Sequence, residues 1–183
     1  MPKKEAKLSR YVALLRGINV GGKHKVAMKD LVALLQHLGY IEIKTILNSG
    51  NVIFSAPAMA EPKLAAEMEQ ALSTSFHFSI PVIVVTLEVI QNLMAVNPFS
   101  KIEPTKDTRF YVSFLKEHSK ASLDLPYVSV DGSFQILGIH DKIILSFLDV
   151  SKAKTPQVMD IIEKTYGKEI TTRNWNTLLK IAT

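Results

Sequence analysis

The stretch Tyr11-Val-Ala-Leu-Leu-Arg-Gly-Ile-Asn-Val-Gly-Gly-Lys-His-Lys25 decides the fold. It begins with an unbroken apolar run, Tyr11–Leu15, which predicts a buried strand. Polar and positive side chains then follow together with glycines, and a helical pattern resumes only near Met28. This connection of about eleven residues exceeds the ~2–6 residues of an ordinary strand-to-helix loop. Long ordered loops on a rigid strand commonly carry binding sites, so the sequence nominates this glycine loop as a site.

The side chains of the glycine loop suit an anion. An arginine supplies a planar fork of donors for carboxylate or phosphate, and glycines let backbone N–H groups turn toward a ligand. No acidic residue interrupts the loop. We therefore expect an anionic partner, while the alternative that the glycines serve only turn geometry stays open. The residues concerned are Arg16, Gly17, Asn19, Gly21, Gly22, Lys23 and Lys25.

A P-loop is a second interpretation of the same residues. The segment Gly17–Lys23 fits the G-x-x-x-x-G-K start of a P-loop after an apolar strand. The next residue should be Ser or Thr to hold magnesium, but it is His24, and no helix is predicted to begin there. A strand ending in Asp149 resembles the second motif of such proteins. A P-loop-like phosphotransferase therefore remains an alternative.

Composition and charge limit the classes of protein to which the chain can belong. The chain has 183 residues, a net charge of +5 and no cysteine, which excludes disulfides and thiolate metal sites. No segment approaches the ~20 apolar residues of a membrane helix, no signal-peptide pattern is visible, and we expect a cytoplasmic protein. Four of the positive charges lie in residues 1–10, which we interpret as a flexible basic tail. We therefore expect only weak nucleic-acid binding.

The first half predicts the order β-α-β-β-α-β, a ferredoxin-like unit over residues 11–96. Its sheet should be antiparallel with the order 4-1-3-2, so that strand one lies beside strand three. This places Arg16 near Asn51 and brings Ser49 to the face that carries the glycine loop. The predicted elements are strands 11–16, 41–47, 51–55 and 81–86 and helices 28–38, 62–75 and 88–95.

The second half, residues 109–183, is predicted to repeat this unit after a linker at 97–108. Asp131-Gly132 is a hairpin signal, and Ser119–Leu123 suggests a short helical turn. Thr172 is predicted to cap a final helix. The fold class is thus α+β, with two ferredoxin-like βαββαβ halves in tandem, mostly antiparallel sheets and a C-terminal helix. The other predicted elements are strands 110–115 and 143–148 and a helix over 156–166.

The second constellation of polar residues is Thr171–Thr177. A helix start exposes N–H groups that bind anions, and Arg173 and Asn174 add donors there. The histidines show no metal-ligand spacing, no metal or cofactor is indicated, and no nucleophile–base pair is convincing. Whether the protein is an enzyme is left open.

Three segments together resemble the domain-of-unknown-function family number sixteen ninety-seven. They are Leu15–Gly22, Asn48–Asn51 and Thr172–Thr177, and Asn97-Pro98-Phe99 agrees with them. The resemblance implies two ferredoxin-like halves and a cytoplasmic bacterial-type protein, with no established activity, substrate or cofactor. It carries over the polar residues Arg16, Asn19, Lys23, Ser49, Asn51, Arg173 and Asn174.

We expect an intracellular protein that binds a small anionic ligand, a nucleotide or a phosphorylated metabolite, at the glycine loop. The main alternative is an RNA-binding module of the RRM type, which displays aromatic side chains on its central strands. Those strands offer Tyr11 and Phe54 but no RNP1 pattern. The sequence indicates neither an oligomeric state nor a membrane partner.

Overall fold

The computed structural model describes residues 7–119 and 123–183, apart from the side chains of Gln157 and Val158. Within these residues the chain is α+β, with five helices and two antiparallel sheets. It divides into two compact units, of which one ends at Asn92 and includes Lys180–Thr183, and the other covers Leu93–Leu179.

The first sheet has the strand order β2-β3-β1-β4, which is the order expected from the sequence. Strand β1 pairs antiparallel with β3, and Leu14 faces Asn51, which confirms the predicted pairing. Strand β1 begins at Leu8, so Leu8–Arg10 belong to the sheet and not to the tail. The elements are β1 (Leu8–Leu15), α1 (Met28–His37), β2 (Ile41–Ile46), β3 (Asn51–Pro57), α2 (Glu61–Phe76), β4 (Val82–Thr86) and α3 (Leu87–Val96).

Both α1 and α2 contribute to one core with the first sheet. Apolar residues at helical spacing, such as Leu31 and Leu35 of α1, are sealed from solvent, as are Leu64 and Met68 of α2. Alternate residues of the strands, including Phe54 of β3, belong to the same cluster. The helical and strand periodicities of the sequence therefore converge on one buried layer.

The second sheet has five strands in the order β6-β7-β8-β5-β9. The predicted hairpin at Asp131-Gly132 connects β6 to β7. The predicted helical turn at Ser119–Leu123 lies mostly outside the described residues. The elements are β5 (Thr108–Leu115), β6 (Tyr127–Val128), β7 (Phe134–His140), β8 (Ile143–Asp149), α4 (Thr155–Tyr166), β9 (Ile170–Asn174) and α5 (Trp175–Ala182).

Thr172 does not cap the last helix, so that prediction was wrong. It lies within strand β9, where it faces Ser113 of β5. The β-branched run Ile170–Thr172 favours a strand, and α5 begins only at Trp175. Asn174 occupies the capping position instead, because its Oδ1 accepts from the backbone N–H of Asn176 at 2.9 Å.

The topology contradicts the P-loop alternative. Among the residues that the structure describes, strand β1 pairs only with β3 and β4, and both pairings are antiparallel. Strand β8 belongs to the other sheet, between β5 and β7. No helix follows Lys23 directly, because α1 begins at Met28.

Candidate functional site

The glycine loop folds as a miniature hairpin after strand β1. Val20 and Lys23 form an isolated antiparallel bridge, and the Lys23 N–H donates to the Val20 carbonyl at 3.1 Å. Gly21 and Gly22 lie between them with φ of 58° and 74°. Two successive positive φ values are typical of a type I′ turn, which favours glycine at both positions. These two glycines thus have a structural role that needs no ligand.

Asn19 ties the loop together through its side-chain amide. Its Nδ2 donates to the carbonyls of Val26 and Asn48 at 2.9 and 2.8 Å, and its Oδ1 accepts from the Val26 N–H at 2.9 Å. Both N–H bonds of the amide are therefore committed within the protein. Asn19 holds the end of the loop and joins the loop to the β2–β3 turn, so these two segments meet as the sequence predicted.

The β2–β3 turn uses Asn51 in a similar way. Asn51 is fully buried, and its Nδ2 donates to the Ile46 carbonyl at 2.9 Å and to Ser49 Oγ at 3.1 Å. Gly50, with φ of 79°, lies so close to β1 that an added Cβ would stand 2.7 Å from the Leu15 Cβ. Asn51 therefore shapes the turn, while Ser49 is exposed at its tip.

The cations of the loop differ in their surroundings. Lys23 and Lys25 are exposed. Arg16 is half-buried, and its backbone N–H donates to the Pro81 carbonyl at 2.9 Å. The ring of His24 stacks on Phe78 with centroids 4.6 Å apart, which holds this histidine against the protein. The two lysines are thus the most accessible positive charges of the loop.

A depression of about 530 Å³ opens beside the loop, at the start of helix α1. The residue before the helix, Ala27, has the extended conformation of an N-cap, with φ of −71° and ψ of 132°, and supplies no side-chain hydrogen bond. The backbone N–H groups of Met28 and Lys29 consequently have no acceptor among the described residues. The lining residues are Asn19, Gly22, Lys25, Val26, Ala27, Met28 and Asn48.

Sequence reasoning did not identify the start of α1 as part of the site. The signal was present, because a helix that follows Ala27 lacks the Ser, Thr, Asp or Asn that usually satisfies the first N–H groups. The side chain of Asn48, which lines the same depression, makes no hydrogen bond with any described residue. Met28 and Asn48, which carry these unsatisfied donors, therefore line one open space together with Lys25.

Arg173 and Asn174 belong to the second unit, where Arg173 lies inside strand β9 and Asn174 is the last residue of that strand. Arg173 is 9% exposed, and its Nη1 donates to Thr171 Oγ1 at 2.8 Å and to the Thr172 carbonyl at 2.9 Å. Burial lowers the pKa of Arg173 to about 10. Asn174 caps α5 as described above. Both side chains thus have structural roles in this unit.

The aromatic residue after Asn174 also has a local explanation. Trp175 packs edge-on against Phe99, with ring centroids 5.0 Å apart, and Phe99 stacks on Phe110 at 4.5 Å. Phe99 is buried, which accounts for its place in the Asn97-Pro98-Phe99 motif. The aromatic cluster stabilises the second unit through apolar burial and ring geometry.

Other chemistry is sparse in the part of the chain that the structure describes. No group of three or more His, Cys, Asp and Glu side chains is arranged there to hold a metal ion. The helices formed by these residues are too short or too polar to cross a membrane.

These features define an α+β protein with two antiparallel sheets and an uncapped helix start beside a glycine loop. The chain belongs to a family described as protein of unknown function, DUF1697, whose sequence profile matches residues 8–126. The resemblance drawn from the motifs is thereby confirmed, although Thr172–Thr177 lies outside the matched residues.

One solved structure has the same fold over nearly its whole length. It is the conserved bacterial protein SP0830 from Streptococcus pneumoniae, with a TM-score of 0.71 and 23% sequence identity, over 96% of this chain and 98% of that one. At this identity the similarity concerns the fold alone. No curated protein matches the chain.

Proposed function

We propose that this cytoplasmic protein binds a small anionic ligand, a nucleotide or a phosphorylated metabolite, in the depression between the glycine loop and α1. We further propose two ferredoxin-like subdomains, residues 11–96 and 109–183, joined by a linker at 97–108. The strand order of the first sheet supports this description. The observation that carries the ligand proposal is the uncapped start of α1, which faces a space also lined by Lys25 and Asn48.

The helix start attracts an anion for two physical reasons. Its free N–H groups are hydrogen-bond donors, and the helix dipole places partial positive charge at the same point. Lys25 adds a full positive charge, and the Asn48 amide adds a neutral donor. Each hydrogen bond to a charged group contributes about 1.5–3 kcal/mol. Arg16, Gly17, Lys23 and Ser49 remain candidate contacts at the rim, while Asn19 and Asn51 order the loop and the turn.

The size and lining of the depression favour an organic anion. Its volume of about 530 Å³ lies within the roughly 300–1,000 Å³ of small-molecule sites. Val26, Ala27 and Met28 contribute apolar surface beside the donors. A phosphate or carboxylate joined to an apolar body would satisfy both parts of the surface.

The RRM-type alternative loses its main support. Tyr11 and Phe54 stack on one another at 5.5 Å, and both belong to the core that includes α1 and α2. The Tyr11 hydroxyl is also engaged, because it donates to the Met59 carbonyl at 3.0 Å. These rings therefore cannot stack on nucleotide bases, as the aromatic residues of an RRM do.

The test is a thermal-shift screen of nucleotides and phosphorylated metabolites on the wild type, followed by titration of any hit. Lys25→Gln and Asn48→Ala should weaken binding, with roughly a tenfold to hundredfold loss for the lysine, since about 1.4 kcal/mol is a factor of ten. Lys63→Gln is the matched control, because Lys63 is an exposed lysine of α2 outside the depression. Equal affinity in Lys25→Gln and Lys63→Gln would place the ligand elsewhere.

A further inference from the structure

One edge of the first sheet is formed by β4, and the backbone N–H groups along this strand alternate in direction. The Arg16 N–H donates to the Pro81 carbonyl at 2.9 Å, which marks this pair as hydrogen-bonded. Because bonded and non-bonded pairs alternate along an antiparallel ladder, Val82, Val84 and Thr86 turn their N–H groups away from β1. Such a row of outward groups is a template for pairing with another strand.

Two carboxylates of helix α2 occupy this edge. Glu69 Oε1 accepts from the Val82 N–H at 2.9 Å, and Glu61 Oε1 accepts from the Thr86 N–H at 3.0 Å. Val84, which lies between these positions, is 4% exposed. Two of the three outward N–H groups are thus satisfied by side chains of one helix, at ordinary hydrogen-bond distances.

The spacing of the two glutamates matches the strand. The eight residue steps from Glu61 to Glu69 along the helix rise about 12 Å, and the four steps from Val82 to Thr86 along the strand span about 14 Å. The helix and the strand run in opposite senses at this contact, since the earlier glutamate meets the later strand residue. The pattern is therefore a repeated contact along the edge and not a single chance bond.

We propose that Glu61 and Glu69 close the β4 edge against strand addition by a second copy of this chain. A strand that meets its own copy antiparallel across a two-fold axis makes an isologous contact, the commonest kind in homodimers. In the wild type the carboxylates occupy the donors that such a contact would use. Without them, the N–H groups of Val82 and Thr86 lose their acceptors at two points of the β-branched strand Val82–Thr86.

The test compares two double variants with the same net charge. Glu61→Ala/Glu69→Ala removes both acceptors, whereas Glu61→Gln/Glu69→Gln keeps a carbonyl oxygen at each position. Light scattering after size exclusion, over a range of protein concentrations, should show association of the alanine variant beyond the wild type and none for the glutamine variant. Unchanged mass of the alanine variant, or equal association of both variants, would overturn the proposal.

Residue-resolved amide exchange on the single variants provides a second measurement. It tests the role of each carboxylate at the β4 edge even if the double variant does not fold. Glu69→Ala should accelerate exchange at Val82, and Glu61→Ala at Thr86, by roughly tenfold to a hundredfold, the effect of losing a hydrogen bond to a charged acceptor. The amides of Ile83 and Val85, which face β1, should not change. Exchange that is unaltered at Val82 and Thr86 would contradict the proposal as well.

Discussion

Ala27→Asp should stabilise the fold and weaken anion binding at the same time. Ala27 is exposed and already has the extended backbone of an N-cap residue, so an aspartate there can accept from the free N–H groups of the first turn without backbone strain. The same carboxylate would occupy the donors that we assign to the ligand and would repel an incoming anion. Opposite changes in stability and affinity separate loss of binding from misfolding.

The magnitude follows from capping energetics. Replacing alanine by aspartate at an N-cap stabilises a protein by about 0.5–2 kcal/mol. Asp30 lies in the same first turn and repels the new carboxylate, so we expect the free energy of unfolding to rise by about 1 kcal/mol. For a chain of this size that gain raises Tm by about 2–4 °C. The affinity for a phosphorylated ligand should fall at least about tenfold, which corresponds to loss of one charge-assisted hydrogen bond.

The assay is differential scanning fluorimetry with and without the ligand found by the screen, combined with calorimetric titration. Ala60→Asp is the matched control, because Ala60 is the uncapped N-cap of α2, with nearly the same backbone angles, φ of −61° and ψ of 130°. It should raise Tm and leave binding unchanged. A lower Tm for Ala27→Asp would refute the assignment of an accessible helix start, and undiminished affinity would refute the site.

Three further substitutions test local contacts in the two units. Gly50→Ala should destabilise the fold by about 2–4 kcal/mol in urea unfolding, because its Cβ would clash with Leu15 at a positive φ; tolerance would contradict the close approach. Tyr166→Phe should raise the free energy of unfolding by about 1 kcal/mol, since the buried hydroxyl has no partner among the described residues; a loss would reveal a hidden bond. Hydrogen bonds from Ser129 and Ser133 lower the pKa of Asp131 from 3.8 to about 2. The ionised carboxylate therefore stabilises the fold fully above pH 3.8, and this stabilisation is lost as the pH falls toward 2. Asp131→Asn should make Tm depend less on pH between 3.8 and 2, and an unchanged dependence of Tm on pH would argue against these bonds.

The first sheet could be predicted from the sequence because local signals and pairing agree there. Apolar residues at helical spacing identify α1, and the Asn48–Gly50 turn separates two strands of matching pattern. Once the order β-α-β-β-α-β is recognised, the antiparallel neighbour of β1 follows from topology. The start of β1 was missed because Leu8–Arg10 is polar and basic in part, and only its pairing with Ser55–Pro57 shows that it is a strand.

The end of the second sheet could not be predicted in the same way. Thr172 satisfies the composition rule for an N-cap, and Trp175 begins an apolar helical pattern, so a helix start at Thr172 was reasonable. The competing preference of β-branched residues for strands is decided only by a partner, here β5. That partner lies more than fifty residues earlier in the sequence, a separation at which single-residue preferences carry no information.

The candidate site illustrates a limit of a different kind. Asn19 and Asn48 are the same residue type in neighbouring segments, yet the amide of Asn19 is fully used within the protein and that of Asn48 is not. A sequence records which donors exist, whereas the path of the backbone decides which of them are already satisfied. A ligand site is therefore indicated less by the number of polar residues than by the donors that have no acceptor, at Met28, Lys29 and Asn48. An uncapped helix start combines free N–H donors with partial positive charge. Of the segments that line the depression, the start of α1 is therefore the one at which an anion would best replace the water bound to these donors.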